Sequence, residues 1–211
     1  MKKLLLVLAL FLSGCASVNF SSKYYTPPPT YKADIDEVWN TAMKLPLKYK
    51  NYYSYKISQD SETKSAGVPQ IYNNIVYLPE YFIKYVYEFY YPKYHKQILA
   101  CIILHELAHP EGGINDKPPD VHFDCDKYAI DNFLPHTTCS IDDFYSSLIV
   151  MKNYWSARKG AGGHLFNASY NLAVAWYGGI FVDMYATDIK ARLSYLRYFY
   201  PKAKFIYQRT K

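Results

Sequence analysis

The sequence predicts an α+β fold that is mainly helical, in which a small β-sheet lies over one buried central helix. The run 98–104 is apolar at every position, and a helix that is apolar on every face is buried on all sides. Two tyrosine-rich stretches, Tyr52–Ile57 and Gln70–Leu78, combine β-favouring residues with turn signals, as strands do. The C-terminal third has a helical pattern over Ile141–Arg158 and again over Leu165–Phe199.

Proline, asparagine and aspartate residues mark the ends of the other predicted elements. In chain order these are a helix from Ile35 to about Lys44 that stops before Pro46, a strand pair or bulged strand around Asn73-Asn74, a helix opened by Pro79 that ends before Pro92, the central helix from about Lys93 to His109, a turn over Pro110–Pro119, and a helix Val121–Ile130 capped by Asp120.

The N-terminus has the pattern of an export signal, with Lys2 and Lys3 followed by the apolar run Leu4–Leu12. That run is too short to span a bilayer as a mature helix. The sequence Leu12-Ser13-Gly14-Cys15 resembles the lipobox of bacterial lipoproteins, which implies cleavage before Cys15 and acylation of its thiol. The alternative is an ordinary cleaved signal peptide with a coincidental cysteine.

The chain therefore divides into a signal peptide (1–14), a proline-containing tether (15–30) and one domain (31–211). Cleavage would leave 197 of the 211 residues and, because it removes Lys2 and Lys3, would lower the formal charge from +6 to +4. A mild, scattered excess of positive charge does not favour nucleic acid as a partner. The expected location is the bacterial cell envelope, and Ala16 after the acylated cysteine favours the outer membrane, facing the periplasm.

Three cysteines remain for the domain, and an exported protein can pair two of them. Cys125 and Cys139 are the expected pair, because Cys101 lies inside the apolar helix. Three free thiols are the alternative.

The central helix ends in His105-Glu106-Leu107-Ala108-His109. Residues four apart lie on one face of a helix, so His105 and His109 can present two nitrogens to one metal ion. Glu106 is then placed to act as a general base on a water molecule in the open coordination position. The alternative interpretation is two solvated histidines at a frayed helix end.

A catalytic zinc site needs a third protein ligand, and the next predicted helix offers candidates. His122 and Asp126 are again four apart. If His122 binds the metal, Asp126 can accept a proton from His105 or His109 and orient that ring. Asp126 and Asp124 are the alternative third ligands.

These motifs resemble the gluzincin metallopeptidases, which belong to the zincins, over about Ile71–Ala129. In that family a second helix carries Glu-x-x-x-Asp, whose glutamate binds zinc and whose aspartate supports a histidine. Here His122 stands in place of the glutamate and Asp126 matches the aspartate, while the segment Cys125–Ala129 is similar to Ala-Asp-x-x-Ala. The longer metzincin pattern fits less well, because Asn115 stands where its third ligand is required.

The resemblance implies that the cofactor is Zn²⁺. It also implies that the protein hydrolyses peptide bonds in a peptide or protein substrate, by Glu106-assisted attack of zinc-bound water. It also implies that the strand at Ile75–Tyr77 is an edge strand to which an extended substrate adds. His164, after a glycine-rich stretch, is a candidate for steadying the oxyanion, although a surface histidine is the simpler interpretation. A non-catalytic zinc-binding lipoprotein with an assembly or binding role is the alternative function.

Overall fold

The computed structural model of the chain describes residues 30–58, 68–113, 121–160 and 188–210. It confirms the predicted fold class, since the described residues are mainly helical and include a small mixed sheet. The signal peptide, Cys15 and nearly all of the tether lie outside the described residues, as do Asp120, His164 and the segment 165–187. Within the described ranges, none of the helices combines the length and apolarity needed to cross a bilayer.

The helices follow the predicted order, with ends that differ by a few residues. They are α1 (Thr30–Ala42), α2 (Glu80–Phe89), α3 (His95–Glu111), α4 (Val121–Asn132), α5 (Ile141–Gly160) and α6, which covers 188–199. The largest difference is at α1, which begins at Thr30 rather than at Ile35. Its first turn is polar, so apolar periodicity alone could not mark where the helix starts.

The sheet consists of β1 (Ser54–Ser58), β2 (Gln70–Tyr72) and β3 (Ile75–Pro79), in the order β1-β3-β2. The strands β1 and β3 are parallel, and β2 and β3 form an antiparallel hairpin. The expectation that Ile75–Tyr77 forms an edge strand is wrong, because this stretch is the central strand β3. The edge beside α3 is β2, since the hairpin folds the chain back after only two turn residues.

That two-residue turn consists of Asn73 and Asn74, with φ of 49° and 61°. Positive φ at both positions defines the tight turn whose twist matches a hairpin, and asparagine is among the few residues that tolerate it. Such a turn makes Tyr72 and Ile75 a hydrogen-bonded pair, so the next pair, Ile71 and Val76, is not hydrogen-bonded. The N–H of Ile71 therefore faces away from β3, towards the open edge.

Helix α3 is the centre of the fold, and α1, α4 and α5 pack against it. Six of the seven residues of the apolar run 98–104 are buried, with Ala100 partly exposed, and burial continues beyond the run to Ala108. The helix continues past Pro110 to Glu111, because proline costs only one hydrogen bond in a last turn. Gly113 then adopts a left-handed φ of 62°, which ends the helical path.

The cysteines are arranged differently from the expected pairing of Cys125 with Cys139. All three described cysteines are free thiols, and Cys139 hydrogen-bonds with Cys101. The expectation failed because Cys139 directly precedes α5, which packs against α3 and so carries Cys139 to the buried face of that helix. Cys125 is fully buried in α4.

Candidate metal centre

Two helices bring the three predicted histidines together. His105 and His109 lie one turn apart on α3, and α4 packs against α3 so that His122 faces them. One ring nitrogen from each histidine lies within 4.8 Å of the other two. A group of this kind could hold a metal ion.

The imidazole rings surround a common centre. Their centroids are 5.1 Å apart for His105 and His109, and 5.5 Å for each of the two pairs with His122. The ring planes cross at 73° to 88°, so the rings meet edge to face instead of stacking. His105 is buried whereas His109 and His122 are partly exposed, so the cluster opens to solvent on one side.

Asp126 lies directly behind His105. Its Oδ1 is 2.7 Å from Nδ1 of His105. An ionised carboxylate can only accept, so Nδ1 carries the proton and Nε2 keeps its lone pair. Burial, together with the nearby charge of Arg192, holds the pKa of His105 well below its usual range. The ring is therefore neutral, which is the state that binds a metal.

Arg192 of α6 neutralises Asp126 and was not identified from the sequence. Its Nε donates to Oδ2 at 2.8 Å and its Nη2 donates to Oδ1 at 2.7 Å. Burial alone would raise the pKa of Asp126, but the charge of Arg192 and the hydrogen bond from His105 hold it below its usual range. Nη2 also approaches Nδ1 of His105 at 3.2 Å, a close approach rather than a hydrogen bond because that nitrogen carries the proton.

Asp188, on the same helix, is the second residue that the sequence did not reveal. Its Oδ2 lies 2.8 Å from Nδ1 of His122. Asp188 and Arg192 are 66 residues from their partners in α4. No local pattern links residues at such a distance, and one sequence alone contains no signal that could have found them.

Glu106 is buried beside the histidines, with 6% of its surface exposed. Burial raises the pKa of its carboxyl to about 7, while the neighbouring His122 and the charge of Arg192 oppose that rise. The main-chain N–H of Ile71 donates a hydrogen bond to it. The edge strand β2 therefore passes directly next to Glu106.

No family model matches the chain. No curated protein and no solved structure matches it either.

The alternative third ligands, and the two other described histidines, occupy different places. Asp124 is exposed on α4, and both oxygens of Asp126 are engaged by His105 and Arg192. His95 is buried, with Nε2 2.7 Å from the carbonyl oxygen of Tyr90, and His136 is exposed. Neither of these two belongs to the histidine cluster.

The donor set fits zinc. Imidazole is a preferred zinc ligand, and three protein ligands with solvent access leave a fourth position open, as catalytic zinc sites require. The rings of His105 and His122 each have the carboxylate partner that typically orients a metal-binding histidine. The adjacent carboxylate of Glu106 has the position expected of a general base.

Proposed function

We propose that the protein is a zinc-dependent metallopeptidase of the bacterial cell envelope. The observation that carries this proposal is the cluster of His105, His109 and His122 with the buried Glu106 beside it. The similarity of the motif to zincin peptidases supports the same conclusion. The three histidines would hold zinc, and the ion would supply Lewis-acid activation of water and of the substrate carbonyl.

The role of Glu106 in this reaction is to move a proton. A carboxylate with a pKa raised by burial is a stronger base than an exposed one. It would take a proton from the attacking water and later deliver it to the leaving amine. Its hydrogen bond from Ile71 fixes the carboxylate relative to the sheet edge.

The edge strand β2 gives the substrate a binding mode. An extended peptide could add to the outer edge of β2 and donate to the outward carbonyl of Ile71, since the outward N–H of that residue already donates to Glu106. Ile71 lies on this edge and contacts Glu106, so a peptide bound there would run alongside the general base. This mode favours unfolded or extended segments as substrates.

The test compares wild type with Glu106→Gln and with Glu37→Gln, a matched change at an exposed residue of α1. Bound zinc is measured by elemental mass spectrometry, and cleavage is followed with a diverse peptide library. We expect all three proteins to bind zinc and Glu106→Gln to cleave at least about 10²-fold more slowly. A wild type without zinc, or a Glu106→Gln variant as active as wild type, contradicts the proposal. Zinc binding without any cleavage would favour the non-catalytic binding role.

The ligand assignment has its own test. His122→Phe and Asp124→Asn are compared for zinc content after dialysis against a weak chelator. We expect His122→Phe to lose zinc and Asp124→Asn to retain it, because Asp124 is exposed and lies outside the histidine cluster. The reverse result would assign the third ligand to the carboxylate.

The envelope location rests on the export signal and on Cys15. Labelling with radioactive palmitate in a bacterial host should tag the wild-type chain and place it in the membrane fraction. The Cys15→Ala variant should lose the label, whereas Cys125→Ala should keep it. Equal labelling of wild type and Cys15→Ala would contradict the lipid anchor.

A further inference from the structure

The third histidine of the cluster has a carboxylate partner from a distant part of the chain. Nδ1 of His122 lies 2.8 Å from Oδ2 of Asp188, on α6. The two side chains are 32% and 18% exposed. This hydrogen bond holds the partly exposed ring of His122 in one orientation.

Arg192 joins the two carboxylates behind the cluster. It contacts Asp126 through two hydrogen bonds, and its Nη1 lies 3.8 Å from Oδ2 of Asp188. Asp188 and Arg192 are four residues apart and therefore share one face of α6. One helix thus supplies the cation behind His105 and the carboxylate behind His122.

His122 needs a hydrogen-bond partner that a glutamate ligand in its place would not need. A glutamate ligand offers equivalent oxygens and needs no second partner to choose between them. A histidine has two different nitrogens, and it binds a metal through one only when the proton sits on the other. Since the carboxylate of Asp188 accepts a hydrogen bond from Nδ1–H of His122, Nε2 keeps its lone pair and is left to face the cluster.

We propose that Asp188 is a positioning residue for His122, so that α6 fixes the orientation of one of the three metal-binding rings. The inference rests on the proposed function only in requiring that the cluster binds zinc. Removal of Asp188 should leave the three histidines in the chain but weaken zinc binding by about 10- to 100-fold, the usual effect of losing such a partner.

The experiment measures zinc affinity of the detergent-solubilised full-length chain by competition with a chromophoric chelator. The variants are Asp188→Ala, the near-isosteric Asp188→Asn, and Asp124→Asn as a control that removes one exposed carboxylate from the helix that carries His122. We expect both Asp188 variants to bind zinc at least about 10-fold more weakly, and Asp124→Asn to match wild type. Thermal unfolding of the metal-free proteins checks that the variants fold.

A nitrogen NMR spectrum of the histidine rings supplies a readout that altered stability alone would not move. In the metal-free wild type we expect His122 to carry its proton on Nδ1. In the metal-free Asp188 variants we expect a mixture of the two His122 tautomers. Wild-type zinc affinity or an unchanged tautomer in a folded Asp188→Ala variant, which has no acceptor for Nδ1–H, overturns the inference while the peptidase proposal stands. Weakened zinc binding by the variants, with a wild type that cleaves no peptide, supports the inference and overturns the peptidase. A wild type that binds no zinc overturns both.

Discussion

The guanidinium group of Arg192 contacts both carboxylate oxygens of Asp126, at 2.8 Å and 2.7 Å. Both side chains are almost completely buried, at 6% and 0% exposure. Removing one member of such a pair leaves the other as an uncompensated buried charge. The free-energy cost of that charge is larger than the stabilisation that the intact pair provides. The pair therefore links the stability of the fold to the geometry of the histidine cluster.

We expect Arg192→Met to lower the free energy of unfolding of the metal-free protein by about 3–5 kcal/mol. The measurement is urea denaturation followed by circular dichroism. Lys190→Met is the matched control, because Lys190 is an exposed cation on the same helix. Its change should stay within about 0.5 kcal/mol. Similar unfolding midpoints for the two variants would show that Asp126 does not depend on Arg192.

Another buried carboxylate, that of Glu111, connects the end of α3 to the loop before β1. It accepts hydrogen bonds from the main-chain N–H groups of Lys48 and Tyr49, at 2.8 Å and 3.0 Å, and from the hydroxyl of Tyr53 at 2.8 Å. Burial raises the pKa of that Tyr53 hydroxyl, and its hydrogen bond to Glu111 adds to the rise. Glu111 lies two residues after His109, so the same contacts hold the end of the helix that carries the cluster.

We expect Glu111→Ala to lower the free energy of unfolding by about 2–4 kcal/mol, because three hydrogen bonds to a buried carboxylate are lost. Glu37→Ala, at an exposed surface ion pair with Lys96, should cost less than about 1 kcal/mol. Urea denaturation of both variants gives the comparison. A Glu111→Ala variant as stable as Glu37→Ala would mean that water takes over the hydrogen bonds of Glu111 without any loss of stability.

The turn at Asn73 and Asn74 sets which main-chain groups of β2 face Glu106. With φ of 61°, Asn74 occupies a region that β-branched residues avoid and glycine enters freely. We expect Asn74→Gly to leave stability unchanged or raise it by about 0.5 kcal/mol, and Asn74→Val to lower it by about 1–2 kcal/mol. Thermal unfolding measures both changes. Equal melting temperatures for the two variants would show that the turn adopts another conformation.

Local patterns were sufficient to predict most of the fold. The buried helix α3 follows from an apolar run, and the hairpin follows from Asn73-Asn74 between β-favouring stretches. The order of strands did not follow, because β1 pairs in parallel with β3 across a chain segment whose path no local pattern determines. For the same reason the sequence predicts an edge strand at Ile75–Tyr77, where the structure has the central strand.

The candidate site divides in the same way. His105, Glu106 and His109 are fixed by spacing within one helix, and His122 and Asp126 by spacing within the next. Asp188 and Arg192 reach the cluster only through tertiary packing, and nothing in the sequence distinguishes them from the other aspartates and arginines of the chain. Sequence periodicity describes which residues share a helix face, but not which two helices bring their faces together.

Cys101 and Cys139 provide a test of how α3 and the start of α5 are packed. Their side chains hydrogen-bond to each other, and that bond lowers the pKa of the Cys139 thiol. A lowered pKa favours the thiolate, which is the form that attacks a disulfide oxidant. We expect treatment with oxidised glutathione to join Cys101 to Cys139, with loss of two hydrogen atoms from the chain and reduction of the oxidant to two thiols.

Peptide mapping by mass spectrometry should identify this crosslink, and the Cys125→Ser variant should form it as readily as wild type. Cys139→Ser should prevent it. Because the bridge would close a loop of several tens of residues, it should raise the free energy of unfolding by about 3–4 kcal/mol. A crosslink that includes Cys125 would contradict the packing, since Cys125 is buried in α4 whereas Cys101 and Cys139 already share a hydrogen bond.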